Sequence, residues 1–313
     1  MKYFKNENAK SVILQKKPRM HYYNNKNFFK ILFSLNKSDT MKVLAPSLLG
    51  MTVYSLGIYY LEIEYFKLNE NSSIKNVNLL HSLLGFVLSL LLVFRTNTAY
   101  DRWWEGRKLW GKLVNDSRNF AVKMNSYLLA EEDEDRLFFK QHIAFFAHSL
   151  SRHLSEDSTK LALDEDYSDI ENSIKHHAPI ELVNKMSVQV AKLNRDGKIS
   201  QEQLLVLDAQ LSGFLDVCGG CERIKNTPIP FSYSSFVKKF IITYSLALPI
   251  AYVVNIGWMM IPLTVFVFYV LMSLEIIAEE IEDPFNNDEN DLPTEKMSQN
   301  IEKNVDLIFN QSL

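Results

Sequence analysis

Hydrophobic positions gather into two blocks, residues 43–94 and 240–274, and polar positions fill most of the rest. In the first block, VLAPSLLGMTVYSLGIYYL (43–61) and VNLLHSLLGFVLSLLLVF (77–94) are each apolar nearly all round. Each is close to the roughly 20 residues that a helix needs to cross a bilayer core. The second block has no charged residue from Phe240 to Leu274, too long a run for one span and suited to two short ones. Pro249, Asn255, Gly257 and Pro262 lie near its middle and predict a turn, giving spans at 240–254 and 259–276. Buried helices of soluble proteins keep a polar stripe at helical period, which these segments lack. The pattern therefore predicts four membrane-spanning helices.

Between the blocks, apolar positions recur at helical spacing in LFFKQHIAFFAHSLSRHL (137–154) and QLLVLDAQLSGFL (203–215). RDGK (195–198) predicts a turn, and Ser200 with Gln203 predicts a capping box that opens the next helix. The acidic stretch 155–173 is expected at the surface. No sustained strand alternation is present, so the expected class is all-α. The chain divides into an N-terminal segment (1–42), two membrane helices (43–94), a helical domain (95–235), two further membrane helices (236–276) and an acidic C-terminal segment (277–313).

Charge sets the orientation. Basic residues run from Lys2 to Lys42 before the first span, Arg95, Arg102, Arg107 and Lys108 follow the second, and Lys238 and Lys239 precede the third. The loop at 62–76 has only Lys67 and Lys75. The positive-inside rule then places both termini and the central domain in the cytoplasm. The N-terminal segment does not read as a cleaved secretory leader. A net charge of −3 gives no basic field for nucleic acid.

Catalytic signals are weak. Cys218 and Cys221 form CGGC, which suits a reducing compartment. A redox site of this kind needs a preceding strand, and a zinc site needs two more ligands. His142, His148 and His153 fall on an amphipathic helix and His176 and His177 in a loop, where structural roles are expected. There is no HExxH, phosphate-cradling glycine loop or Ser–His–Asp pattern, so neither an enzyme nor a resident cofactor is expected.

Three blocks carry a resemblance: GFVLSLLLVFRTNTAYDRWWEGRKLWG (85–111), GGCERIKNTPIPFSY (219–233) and AEEIEDPFNNDENDLP (278–293). In content, order and spacing they resemble the bacterial bestrophin homologues. The resemblance implies an all-α homopentameric ion channel in the bacterial inner membrane, each subunit joining four identical partners around one pore lined by the second span. It also implies an apolar neck from residues at i, i+4 and i+8 of that span, here Phe86, Leu90 and Phe94. Rings of such residues gate by dewetting. Asn78 and Ser82 extend the series into a polar outer mouth.

A second constriction is implied at the cytoplasmic exit, matching Glu202, or Gln201 if the register slips by one. Relatives often carry an apolar residue there. A ring of carboxylates attracts cations, and mutual repulsion is expected to raise their pKa. Glu202 also sits where the dipole of a capped helix favours an acid whatever its function. The junction Arg95, Asn97, Tyr100, Asp101, Arg102, Trp103, Trp104 and Glu105 is expected to interlock helices.

Glu275, Glu279 and Glu282 share one helix face, with Arg95, Arg102 and Arg107 available as partners. Asp288, Asn290 and Asp291 offer oxygen ligands for calcium, though without EF-hand spacing. The leading expectation is a channel for monovalent ions that leans to cations. Alternatives are an anion channel of the same architecture, a membrane-anchored interaction protein, and a membrane enzyme using CGGC.

Overall fold

A computed structural model describes residues 39–67, 77–128, 133–155, 177–286, 288 and 290–310. The first 38 residues and the acidic stretch 156–173 lie outside the described residues, as do His176 and most of the loop after the first span. The described elements are all helical. They are α1 (Asp39–Tyr59, continued by a π-helical turn Tyr60–Tyr65), α2 (Val77–Tyr127), α3 (Asp133–Ser155), α4 (Ala178–Arg195), α5 (Gln201–Asn226), α6 (Phe231–Ile256), α7 (Met260–Glu282) and α8 (Thr294–Asn310).

The molecule is organised by α2, a single helix of 51 residues. At 1.5 Å per residue it is about 75 Å long, more than twice the thickness of a bilayer core. No proline interrupts it. Its upper half packs on α6 and α7 through Leu88, Leu92, Val237 and Ile241. Its lower half enters a large apolar core, where Trp110, Leu113, Phe120 and Met124 meet residues from α3, α4, α5 and α8. One rod thus joins two differently solvated halves, and α8 folds back to seal the lower one with Ile301, Val305 and Phe309.

The apolar run 240–274 breaks at Gly257, whose φ of 64° suits glycine, and a short 3₁₀ turn Gly257–Met259 follows. Pro249 and Asn255, expected at the turn, lie inside α6, which continues through the proline. Pro262 sits in the first turn of α7, where a missing N–H costs little. Both helices outrun the expected spans, α6 starting at Phe231 and passing through Lys238 and Lys239, and α7 running on through Glu275, Glu279 and Glu280 to Glu282.

By length and composition, Thr40–Tyr65, Asn78–Tyr127, Gln201–Asn226 and Phe231–Glu282 are each able to cross a membrane. Gln201–Asn226 is a core helix instead. It buries Leu207, Leu211, Phe214, Val217 and Cys221 among the lower helices and carries Asp208, Asp216, Glu222 and Arg223. Its amino end has the capping box, Ser200 Oγ accepting from the Gln203 N–H while Gln203 Oε1 accepts from the Ser200 N–H.

Candidate functional site

The two faces of α2 differ sharply. Its buried positions His81, Leu88, Leu92, Arg95 and Ala99 form one stripe toward the same chain. At about 100° per residue, Phe86, Leu90 and Phe94 fall within about 50° of the opposite line. They are 71%, 47% and 57% exposed. Asn97, Asp101 and Trp104 continue this exposed line below them. A single chain therefore leaves a long α2 face uncovered, apolar above and polar below.

Asn78 and Ser82 lie nearer to α6 than to that line. The backbone carbonyl of Asn78 accepts from Ser82 Oγ at 2.9 Å and from the Tyr252 hydroxyl at 3.4 Å. Close by, His81 stacks on Tyr244 with ring centroids 4.0 Å apart.

The junction residues separate into two sets. Asn97, Tyr100, Asp101 and Trp104 are exposed, whereas Arg95, Arg102, Trp103 and Glu105 turn toward α5, α7 and the segment after α7. Arg95 is fully buried, with Nε 3.4 Å from Glu275 Oε1 and Nη2 2.7 Å from Glu282 Oε2. The other Glu282 oxygen accepts the Ile229 N–H at 2.6 Å. Arg102 donates to the carbonyls of Glu282 at 2.9 Å, Ile224 at 2.6 Å and Thr227, satisfying the carboxyl ends of α5 and α7 together. Trp103 Nε1 donates to the Asn290 carbonyl at 3.0 Å, and Glu105 pairs with Arg223. Glu279 takes Lys238, on α6, as its partner. Arg107, offered as a partner by the sequence, is exposed.

Close packing backs this junction. A Cβ on Gly106 would meet Phe285 Cζ at 3.1 Å and Leu292 Cδ1 at 3.2 Å. The turn that carries those two side chains is closed by the Leu292 N–H on the Pro284 carbonyl at 2.9 Å. Within it, Asn290 donates its amide to Glu280, and Asp291 accepts from the Asp288 N–H at 2.8 Å. Burial pushes the Asp291 carboxyl up to about 7.

Gln201 and Glu202 occupy the exposed first turn of α5. Ser200 Oγ donates to Glu202 Oε2 at 2.6 Å, and this bond with the residue's own N–H lowers its pKa within the chain. Burial raises both thiols of CGGC and disfavours the reactive thiolate.

Sequence reasoning missed one grouping. His153 and His177 converge on Glu222, which burial alone would raise but which their hydrogen bonds hold at about 2. Glu222 lies inside GGCER, but its partners are 69 and 45 residues distant, and no spacing motif links them.

The family model described as Bacterial/Fungal Bestrophin protein matches residues 20–307. The chain belongs to the bestrophin family. Among curated relatives, the voltage-dependent anion channel-forming protein of Mesorhizobium japonicum is 34% identical over 281 residues, 89% of each chain. A voltage-dependent anion channel-forming protein of Escherichia coli is 33% identical over 230 residues, 72% of this chain and 74% of that one. The crystal structure of a bacterial bestrophin homologue from Klebsiella pneumoniae superposes with a TM-score of 0.71 at 26% identity, covering 85% of this chain and 98% of the other. The bestrophin chain described here is thus an all-helical membrane protein of an ion-channel family. The cation preference inferred from Glu202 finds no support in these relatives, whose names specify anions.

Proposed function

We propose that this bestrophin assembles as a homopentamer in the bacterial inner membrane and conducts chloride-like anions through a central pore. Each subunit contributes four spans, from α1, the upper half of α2, α6 and α7, with both termini in the cytoplasm. The α2 face with Phe86, Leu90 and Phe94 lines the neck, Asn78 and Ser82 lie at its outer end, and Glu202 or Gln201 rims the cytoplasmic exit. The carrying observation is that α2 turns a continuous line of large apolar side chains away from its own chain.

Five such lines around an axis leave a narrow tube that water and ions enter only when it widens. Phenyl rings carry partial positive charge at their edges, so rings of Phe86 and Phe94 are compatible with anion passage. The relatives' anion-channel names support the same ion sign. The permeant ions are the substrates, and no resident cofactor enters this reading.

The test is the reversal potential of the purified protein in planar bilayers under a KCl gradient. Reversal near the chloride equilibrium potential is expected. Reversal near that of potassium returns the reading to the cation alternative, and absence of flux from the protein alone favours a membrane-anchored interaction protein.

A further inference from the structure

His153 in the last turn of α3, His177 at the N-cap of α4 and Glu222 in α5 are none of the residues assigned above to the neck, outer mouth or exit. Among the described residues they form the one group of three metal-ligating side chains whose donor atoms all lie within 4.8 Å of one another. The Nε2 atoms of His153 and His177 are 2.8 and 2.6 Å from the same oxygen, Glu222 Oε1. Their rings are 4.5 Å apart between centroids. The three side chains are 21%, 21% and 23% exposed, so an ion in solution reaches them without opening the core.

The donor set favours a first-row divalent ion. Two imidazole nitrogens and one carboxylate are a combination used for zinc, which leaves a further position for water. Hard cations such as calcium and magnesium prefer sets made of oxygen alone. Cys218 stands beside the group, its Sγ 3.7 Å from Glu222 Oε1.

We propose that His153, His177 and Glu222 bind one zinc-like divalent ion per chain and so fasten α3, α4 and α5 together. In the metal-free chain the Glu222 oxygen lies between the two Nε2 atoms, and rotation about the side chain's torsions moves it to one side. Each neutral imidazole then loses its Nε2 proton to solvent and takes one up from solvent on Nδ1, a change of tautomer with no net proton released. For His177 this replaces a long contact in which Nδ1 accepts the Ile180 N–H at 3.4 Å. The ion thus replaces two hydrogen bonds to Glu222 and a weak cap on α4 with coordination bonds across the same three helices.

The experiment uses the full chain, purified without a histidine tag, stripped with chelator and titrated with zinc chloride alone. One equivalent per chain is expected, with a rise in unfolding temperature. His153→Ala and His177→Gln are each expected to weaken binding at least tenfold, about the lower end of the loss seen even for outer-shell changes. Cobalt chloride added to the unmutated protein answers the same question if a variant misfolds. Four- or five-coordinate d–d absorption supports the site. Absence of bound zinc and of that absorption overturns it, as does zinc binding that both folded variants retain unchanged.

Discussion

Arg95 Nη2 lies 2.7 Å from Glu282 Oε2, and neither residue has substantial access to solvent. This pair links the upper half of α2 to the carboxyl end of α7, and Glu275 adds a second carboxylate to the same guanidinium. Removing one member of a buried ion pair strands its partner, at about 3–5 kcal/mol. Arg95→Met is therefore expected to lower stability by about that amount, because it strands two carboxylates. Thermal unfolding in detergent measures it. Adding Glu275→Gln to Arg95→Met is expected to recover part of the loss, and strictly additive effects would mean the pair is uncoupled.

Phe86, Leu90 and Phe94 make few contacts within their own chain, so truncating them barely affects the fold of a subunit. Phe86→Ala, Leu90→Ala and Phe94→Ala together are expected to raise single-channel conductance or open probability severalfold. Removal of three apolar rings lowers the cost of wetting the neck. Bilayer recording checks this, and an unchanged conductance and open probability would show that the side chains do not face the pore.

Much of the fold was legible because helix length and apolar composition are local properties. The apolar run ending at Phe94 marked a membrane span, but not that the same helix, α2, continues unbroken to Tyr127. The turn between α6 and α7 was legible only in outline. Pro249 is a strong breaker in isolation, but hydrophobic surroundings sustain α6 around it and leave the break to Gly257. Pairing across helices was legible only in part: Arg95 does take Glu275 and Glu282 from the acidic face. That Glu279 takes Lys238 while Arg102 serves three carbonyls depends on how α5, α6 and α7 pack, which no spacing rule encodes. The convergence of His153 and His177 on Glu222 was hidden for the same reason.

Glu202 is exposed at the amino end of α5, where the Ser200 hydroxyl and its own N–H lower its pKa within the chain. Under the proposed pentameric reading, a ring of Glu202 carboxylates at the exit would oppose an anion current and act as a brake. Glu202→Gln is expected to raise chloride conductance about twofold or more at low ionic strength, with the gain shrinking as salt screens the ring. A conductance that falls, or a gain independent of salt, would remove Glu202 from the exit.

Asp291 is nearly buried in the turn after α7, and burial pushes its carboxyl up to about 7. A group raised in the folded state contributes stability that is complete below its unfolded pKa, about 3.9, and that is lost as pH rises through 7. Asp291→Asn is therefore expected to leave stability unchanged near pH 4. Above pH 7 it should gain up to about 4 kcal/mol relative to the parent, at about 1.36 kcal/mol for each tenfold difference in proton affinity between the folded and unfolded chain. Urea or thermal unfolding from pH 4 to 8 measures the difference between the two slopes. The same series with millimolar calcium separates burial from ligation. Burial alone predicts no effect of the ion, whereas a calcium site at Asp288, Asn290 and Asp291 would hold the carboxylate ionised and flatten the parent's slope at high pH.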